Sequence, residues 1–266
     1  MLRSLKDLER YTACATDGDV GGVENFLVDD ERWVVRYLVV AAGGLLGGRR
    51  VLISPISVRQ AEWVTHRLHL ALTTEKIKGS PSVDLDKPVS RQHEQDYFRY
   101  YGYHYYWGAL GLWGMGSHPD VLVHSERDDG PPAQPQAQSA STDVHLRSVD
   151  EVRGYSVEGT DGTLGHVADF VIDDDSWAVR YLVIDVGHWW SGKKVLVAPH
   201  WATRISWSER KVHLDLARAT VKGSPAWDPA AAVNREYEAR LYDYYGRPVY
   251  WPTGGSTDAA KPPHTR

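Results

Sequence analysis

A mainly β fold, two small antiparallel barrels each followed by a short C-terminal helix, is the architecture this 266-residue sequence predicts. Three observations lead there. The chain repeats itself: Leu2-Arg3-Ser4 returns as Leu146-Arg147-Ser148, and the same spacing of 144 residues carries Trp107 onto Trp251 without a gap, with about 40 of the 106 aligned positions identical. Each copy opens with short apolar stretches separated by Asp-Gly, Gly-rich and Pro turns, roughly five or six strands in about 70 residues, which favours a closed or half-closed antiparallel barrel over a parallel sheet. Each copy then changes from strand-like alternation to helical spacing.

The elements follow in order within a copy. Asp17-Gly18 and Asp161-Gly162 make a turn before VGGVENFLV (20–28) and LGHVADFVI (164–172). Acidic turns, Asp29-Asp30-Glu31 and Asp173-Asp174-Asp175, lead into WVVRYLVV (33–40) and WAVRYLVI (177–184). Trp33, Val35, Tyr37 and Val39 are identical to Trp177, Val179, Tyr181 and Val183, while the other parity varies around a retained arginine, Arg36 and Arg180. Strand side chains alternate between faces, so this pattern marks a strand with one face fixed by the core. An arginine buried there without a partner would cost several kcal/mol. Arg36 is therefore expected to pair with Asp29 or Asp30, and Arg180 with Asp173 or Asp174.

A Gly-rich turn leads next to RRVLISP and KKVLVAP, where Pro55 and Pro199 end the strand. Two further strands fall near 57–64 and 67–72, with equivalents near 201–207 and 211–216. TTEKIKGSP and ATVKGSP read as helical turns stopped by Gly and Pro. A longer helix is expected from Val89 to Tyr101 and from Val233 to Tyr245, with Gly102 and Gly246 just past its ends. Positions 97, 100 and 101, with 241, 244 and 245, give that helix one apolar face for packing or for an interface. Tyr100, Tyr101, Tyr244 and Tyr245 are thus candidates for contact with a partner.

The resulting organisation is a first unit at 1–107, a partly disordered linker at 108–143, a second unit at 144–251 and a disordered tail at 252–266. The linker shifts to Pro, Gln, Ala and Ser, and about 27 flexible residues reach roughly 30 Å, one small barrel's width, so the units can pack face to face. Eleven Trp and fifteen Tyr against three Phe, in a chain 42% hydrophobic and 24% charged, suit a globular protein with partly wet aromatic surfaces. The net charge of −5 gives no broad attraction to phosphate backbones, which disfavours nucleic acid as a partner. Cys14, the lone cysteine, excludes an internal disulfide and a cysteine-based zinc site. With no apolar run suited to a signal peptide or a membrane span, a cytoplasmic protein is expected.

The motifs that suggest chemistry fail on inspection. GHWWSGKK (187–194) fits the phosphate-binding P-loop up to its last position, where Lys194 replaces the required hydroxyl residue, and a strand rather than a helix follows. His66 and His69 point to opposite faces of a strand; His69 aligns with His213 as a structural hydrogen-bonder, while His188 and His200 have Gly44 and Ile56 as counterparts, so no metal site is expected. The acidic turns lack the alternating ligands of a calcium loop. No nucleophile elbow occurs, and Cys14 corresponds to Glu158, so neither enzymatic activity nor a cofactor is expected. Trp189 and Trp190, which replace Leu45 and Leu46 in a predicted turn, are the remaining candidates for anchoring a partner.

The stretches DGDVGGVENFLVDDERWVVRYLVV and DGTLGHVADFVIDDDSWAVRYLVID, followed by RRVLISP and KKVLVAP, resemble the PRC-barrel family. That fold is shared by the cytoplasmic region of the photosynthetic reaction-centre H subunit and the C-terminal domain of the ribosome-maturation factor RimM. The resemblance covers about residues 2–72 and 146–216, and the trailing helix with its aromatic ending is similar to the extension in bacterial tandem PRC-barrel proteins. It brings no catalytic residues and implies a rigid module for docking proteins, an adaptor or scaffold with an unidentified protein partner and a possible homo-oligomer. The alternative is a RimM-like link to RNA metabolism, or a small-molecule site in the groove between the barrels.

Overall fold

Two seven-stranded mixed sheets and a few short helices make up the computed structural model, which describes residues 1–43, 49–83, 87–123, 145–187 and 192–252. The first half runs β1 (Leu2–Ser4), α1 (Leu5–Leu8), β2 (Thr12–Ala15), β3 (Gly18–Asp29), β4 (Val34–Ala42), β5 (Arg50–Ile53), β6 (Val58–Glu62), β7 (Arg67–Leu70), α2 (Thr74–Lys78) and α3 (Arg91–Tyr101). The second half repeats this order as β8 (Leu146–Ser148), α4 (Val149–Val152), β9 (Ser156–Gly159), β10 (Gly162–Asp173), β11 (Val179–Asp185), β12 (Lys194–Val197), β13 (Ala202–Ser206), β14 (Lys211–Leu214), α5 (Arg218–Gly223) and α6 (Arg235–Tyr245). The long helices begin two residues later than expected because Ser90 and Asn234 cap them, accepting from the amides of His93 and Tyr237; Gly102 and Gly246 close them in left-handed conformation.

The sheets run β5-β4-β3-β2-β7-β6 and β12-β11-β10-β9-β14-β13. They depart from the expected all-antiparallel barrel in two ways. β2 pairs with β7, and β9 with β14, in parallel. Pro55 and Pro199 open 3-10 turns that carry the chain from one sheet edge to the other, where the returning hairpin lays its second strand alongside β2 or β9. Among the described residues β5 does not meet β6, nor β12 meet β13, so each sheet is an open path rather than a closed barrel. Gly21 and Gly165 sit where β3 and β10 cross their neighbours most closely; a Cβ at either would collide with the carbonyl oxygen of Ala41 or Asp185.

The seventh strand of each sheet comes from the other half. β1 pairs with β10, placing Leu2, Arg3 and Ser4 opposite Asp173, Ile172 and Val171, and β8 pairs with β3, placing Leu146, Arg147 and Ser148 opposite Asp29, Val28 and Leu27. The amide of Asp30 donates to the carbonyl of His145, and that of Asp174 to the carbonyl of Met1, both at 2.9 Å. Asn25 Nδ2 donates to Ser148 Oγ at 2.8 Å, and Ser4 Oγ donates to the equivalent residue Asp169. Arg147 bonds Asp30 at 2.8 Å and stacks 4.4 Å over Trp207, as Arg3 stacks 3.9 Å over Trp63 beside Asp174.

Between the halves, Val35 N donates to Trp177 O at 2.9 Å and Val179 N to Trp33 O at 2.7 Å. Trp33 (φ 55°) and Trp177 (φ 58°) both adopt the left-handed region, rare for a bulky residue, and so turn their carbonyls toward the opposite strand. Buried residues of both halves form one core. No helix among the described residues is long and apolar enough to cross a membrane.

Three-residue strands contribute few ladder bonds, each worth about 0.5–1.5 kcal/mol net. Burial of the helical turns behind them matters more: Leu5 and Leu8 of α1 press on β10, and Val149 and Val152 of α4 on β3, at about 1.5–3 kcal/mol per side chain. Leu5→Ala is expected to cost about 2–5 kcal/mol. Because Leu5 packs on the other half, hydrogen exchange should show protection falling in β10; a loss confined to the first sheet would contradict the exchange.

Candidate functional site

β4 is buried along both faces, not one. Arg36, 1% exposed, donates to Asp29 Oδ2 from Nε at 3.1 Å and from Nη2 at 2.7 Å, and to the carbonyl of Leu112 from Nη1 at 2.6 Å. Its guanidinium lies 3.7 Å over the Tyr106 ring and 4.8 Å over that of Trp113. Burial acts to raise the Asp29 pKa, but the Arg36 charge and hydrogen bonds, with the amides of Arg32 and Glu31, hold it below the ordinary carboxylate range. Asp30 belongs instead to Arg147 across the halves. On β11 the equivalent cluster is looser: Arg180 Nη2 reaches Asp173 Oδ2 at 3.3 Å and Ser176 Oγ at 3.5 Å, and the guanidinium stacks 4.3 Å over Tyr250. Asp174 is taken by the Met1 amino group and Arg3.

Beside each arginine lies a buried glutamate. Glu94 Oε1 accepts from the hydroxyls of Tyr37 (3.1 Å) and Tyr106 (2.7 Å); its Oε2 accepts from Arg91 Nη1 and lies by His145 Nε2, both at 2.9 Å. Glu238 repeats the set with Tyr181 (2.7 Å), Tyr250 (2.8 Å) and Arg235 (2.9 Å). Burial, followed by the glutamate charge, pushes the Tyr37, Tyr106 and Tyr181 hydroxyls well above their ordinary pKa, so they remain donors. Each carboxylate is thereby surrounded by donors and fastens helix to sheet. Glu94/Glu238, Arg91/Arg235 and Tyr106/Tyr250 are identical across the repeat, and that identity was the signal for this site in the sequence.

Residues 108–123, expected as linker, fold onto the first half. Gly111 bridges Gly114 and Trp113 bridges Gly116, Arg32 donates to the carbonyls of Ala109 and Gly111, and the fully buried Trp113 donates to Ser176 O of the second half at 2.7 Å. With its backbone pinned, this hairpin leaves Leu110 (102%) and Met115 (91%) exposed on either side of the Gly111–Gly114 bridge, next to half-exposed Val121 and Val123. Beside it a groove of about 510 Å³ opens between the halves, lined by Ile56, Arg59, Trp63, His118, Asp175 and Trp177 among others. The pseudo-equivalent space by Trp33, Arg147 and Trp207 is closed to about 10 Å³.

The aromatic helix faces point largely inward. Tyr100 and Tyr244 donate at 2.8 Å to the carbonyls of Lys76 and Thr220, tying α3 to α2 and α6 to α5. Half-buried Tyr101 stacks on Tyr103, and buried Tyr245 packs 5.1 Å from Trp201. Tyr245 is thus part of the core and Tyr101 packs partly buried against it, while Tyr100 is half-buried and Tyr244 exposed. Trp189 and Trp190 lie outside the described residues. The Asp173, Asp174 and Asp175 carboxylates approach within 4.8 Å of one another, with Arg180, Arg3 and the Met1 amino group among them as counter-charges. Cys14 is buried, its thiol pKa raised by burial, and His69 and His213 contact Glu62 (3.3 Å) and Arg204 (3.0 Å) on neighbouring strands.

Arg36→Met should cost about 3–5 kcal/mol at neutral pH by stranding the Asp29 carboxylate. In the native protein the depressed Asp29 pKa contributes stability that is present above the ordinary carboxylate range and lost as pH falls through the folded value. In the variant, burial without Arg36 raises that pKa, so the penalty should shrink from pH 7 towards about pH 4. Denaturant unfolding at both pH values checks this, and Arg36→Met/Asp29→Leu should recover much of the loss.

Residues 145–219 match the family model of the PRC-barrel domain. No curated protein matches the chain. The match begins at His145, just before the exchanged strand β8, and runs through β14 into α5, ahead of the helix that carries Glu238. The segment from β8 into α5, residues 145–219, is a PRC-barrel domain.

Proposed function

We propose that this chain is a non-enzymatic adaptor that docks a partner protein. One observation carries the reading: two large apolar side chains, Leu110 and Met115, stand fully exposed on a hairpin whose backbone is held by Arg32, Arg36 and Trp113. Water-exposed apolar groups on a rigid support lose little entropy on binding and are the usual anchors of protein interfaces. In this reading the first half is a second PRC-type barrel derived by duplication, supported by the strand order and the 144-residue spacing, and the protein works in the cytoplasm.

A second reading is supported by the 510 Å³ groove, whose aromatic and charged lining suits a small polar ligand. The acidic side chains Asp120, Asp174 and Asp175 at its rim argue against RNA there.

Capture from native lysate on the full chain, beside Leu110→Asp/Met115→Asp, separates the readings. A stoichiometric protein held by the native chain and released by the double variant is expected. Recovery of a metabolite or RNA alone, or of the same protein by both chains, would sink the proposal.

A further inference from the structure

β6 ends the first sheet and pairs with β7 along one side only. Val58, Arg59, Gln60 and Ala61 all line the groove between the halves. The face of a sheet would present alternate residues, so a consecutive run places the groove along the open edge, where main-chain groups point. The pairing identifies those groups. Ala71 N donates to Ser57 O at 2.8 Å around the Val58–Leu70 pair, which turns the Val58 carbonyl away from β7, while its amide is held by Pro55 O. His66 O accepts from Thr12 N at 2.9 Å, so the Leu68 main chain faces β2, and Ala61 opposite it directs both amide and carbonyl outward. Among the described residues no hydrogen bond reaches the Val58 carbonyl or either group of Ala61.

The equivalent edge in the second half lacks such a space. β13 also ends its sheet, but the cavity beside Trp207 is closed to about 10 Å³ and residues 202–206 do not border it. At β6 the groove is completed by Trp177 of the second half and by His118 and Asp120, which belong to a segment outside the repeat. The turn after β6 carries Val64, 92% exposed, where the second half has Ser208. One residue of strand fills about 3.4 Å of length, 4.8 Å of sheet width and 10 Å of thickness, about 160 Å³. A groove of about 510 Å³ therefore takes about three residues of a single strand and has no room for a second sheet.

We propose that the β6 edge binds an extended segment of a partner protein as an added strand, paired through the main chain of Val58 and Ala61 and apolar at alternate positions. The proposal deepens the docking reading and rests on it: His118 and Asp120 follow the Leu110 and Met115 hairpin in the chain, so one partner spans both. Unpaired donors and acceptors along a strand edge are matched in spacing by another main chain, which selects a peptide over other ligands. Ile56, Val58 and Trp63 give the groove an apolar strip, while Arg59, Asp120 and Asp175 stand exposed. A strand with one apolar and one polar face meets both.

Fluorescence polarisation of a fluorescein-labelled peptide, Gly-Thr-Val-Thr-Val-Thr-Gly, titrated with the full chain checks this. Two further peptides carry N-methyl groups on the valine amides or on the threonine amides. Only one set of amides faces β6, so one methylated peptide should lose about tenfold or more in affinity while the other binds like the parent. Ala61→Pro removes the outward amide without breaking a bond to β7 and should also lose about tenfold or more; the methylated peptides keep the test valid if that variant disturbs folding. Amide exchange at Ala61 should slow on binding, with Ile205 of β13 unchanged. Leu110→Asp/Met115→Asp should bind the peptide normally, so failure here and failure of the hairpin reading are told apart. Absence of binding, no difference between the methylated peptides, or an unslowed Ala61 amide would overturn the proposal. So would displacement by the small-molecule fraction of native lysate, separation of a dimer by the peptide, or tighter binding once residues 253–266 are removed, which name a metabolite, a second copy and the tail as occupant.

Discussion

Neither half of this chain can complete its own sheet. The strand Leu-Arg-Ser that opens each half lies along the long strand of the other, and the rest of the molecule accommodates that trade. A three-residue strand alone is a weak bond. It becomes a strong one because the following helical turn buries two apolar side chains on the foreign sheet, while one serine both caps that turn and meets Asn25 or Asp169 across the joint. Arg3 and Arg147 then occupy the acidic residue after the long strand, which leaves the preceding acid, Asp29 or Asp173, for the arginine inside the sheet. The acidic turn is thus divided between two cations with different tasks, one joining the halves and one inside each half.

Much of the local structure was legible in the sequence because it rests on local rules. The strands between Asp-Gly and Pro signals, the helix stopped by Gly102 or Gly246, and the repeat itself all follow from short-range pattern. Long-range pairing was not legible. Nothing in Leu2-Arg3-Ser4 says whether it returns to its own unit or crosses to the other, since the residues it meets are nearly the same in both. The parallel contact of β2 with β7 was hidden for a related reason: alternation reports a strand and its faces but not its neighbour's direction. The burial of Arg36 on a second face was missed because its cover, residues 108–113, has no aligned counterpart within the repeat and reads as a glycine-rich linker.

Among the sites, those that repeat were the easiest to recognise and the least free to act. Glu94 and Glu238, with their tyrosines and arginines, are identical in both halves because they anchor the helix to the sheet, and every oxygen there meets a donor. The exposed features are those where the halves diverge: the hairpin with Leu110 and Met115, and the groove open on one side only. Repetition in this molecule marks what holds the fold. Divergence marks what the fold leaves uncovered.

The arginine on the central strand shows how one residue serves both ends. At position 36 it is enclosed by a carboxylate, a carbonyl and two aromatic rings, and its charge is spent inside the protein. At position 180 the same side chain keeps the carboxylate and one ring but has neither the carbonyl nor the indole among the described residues, and it is 24% exposed. The sheet tolerates either state because Asp173, like Asp29, is held ionised: burial acts against it, but two backbone amides and the arginine more than compensate. A carboxylate stabilised in part by its own turn does not depend wholly on the arginine, which is why the looser contact at Arg180 is tolerated.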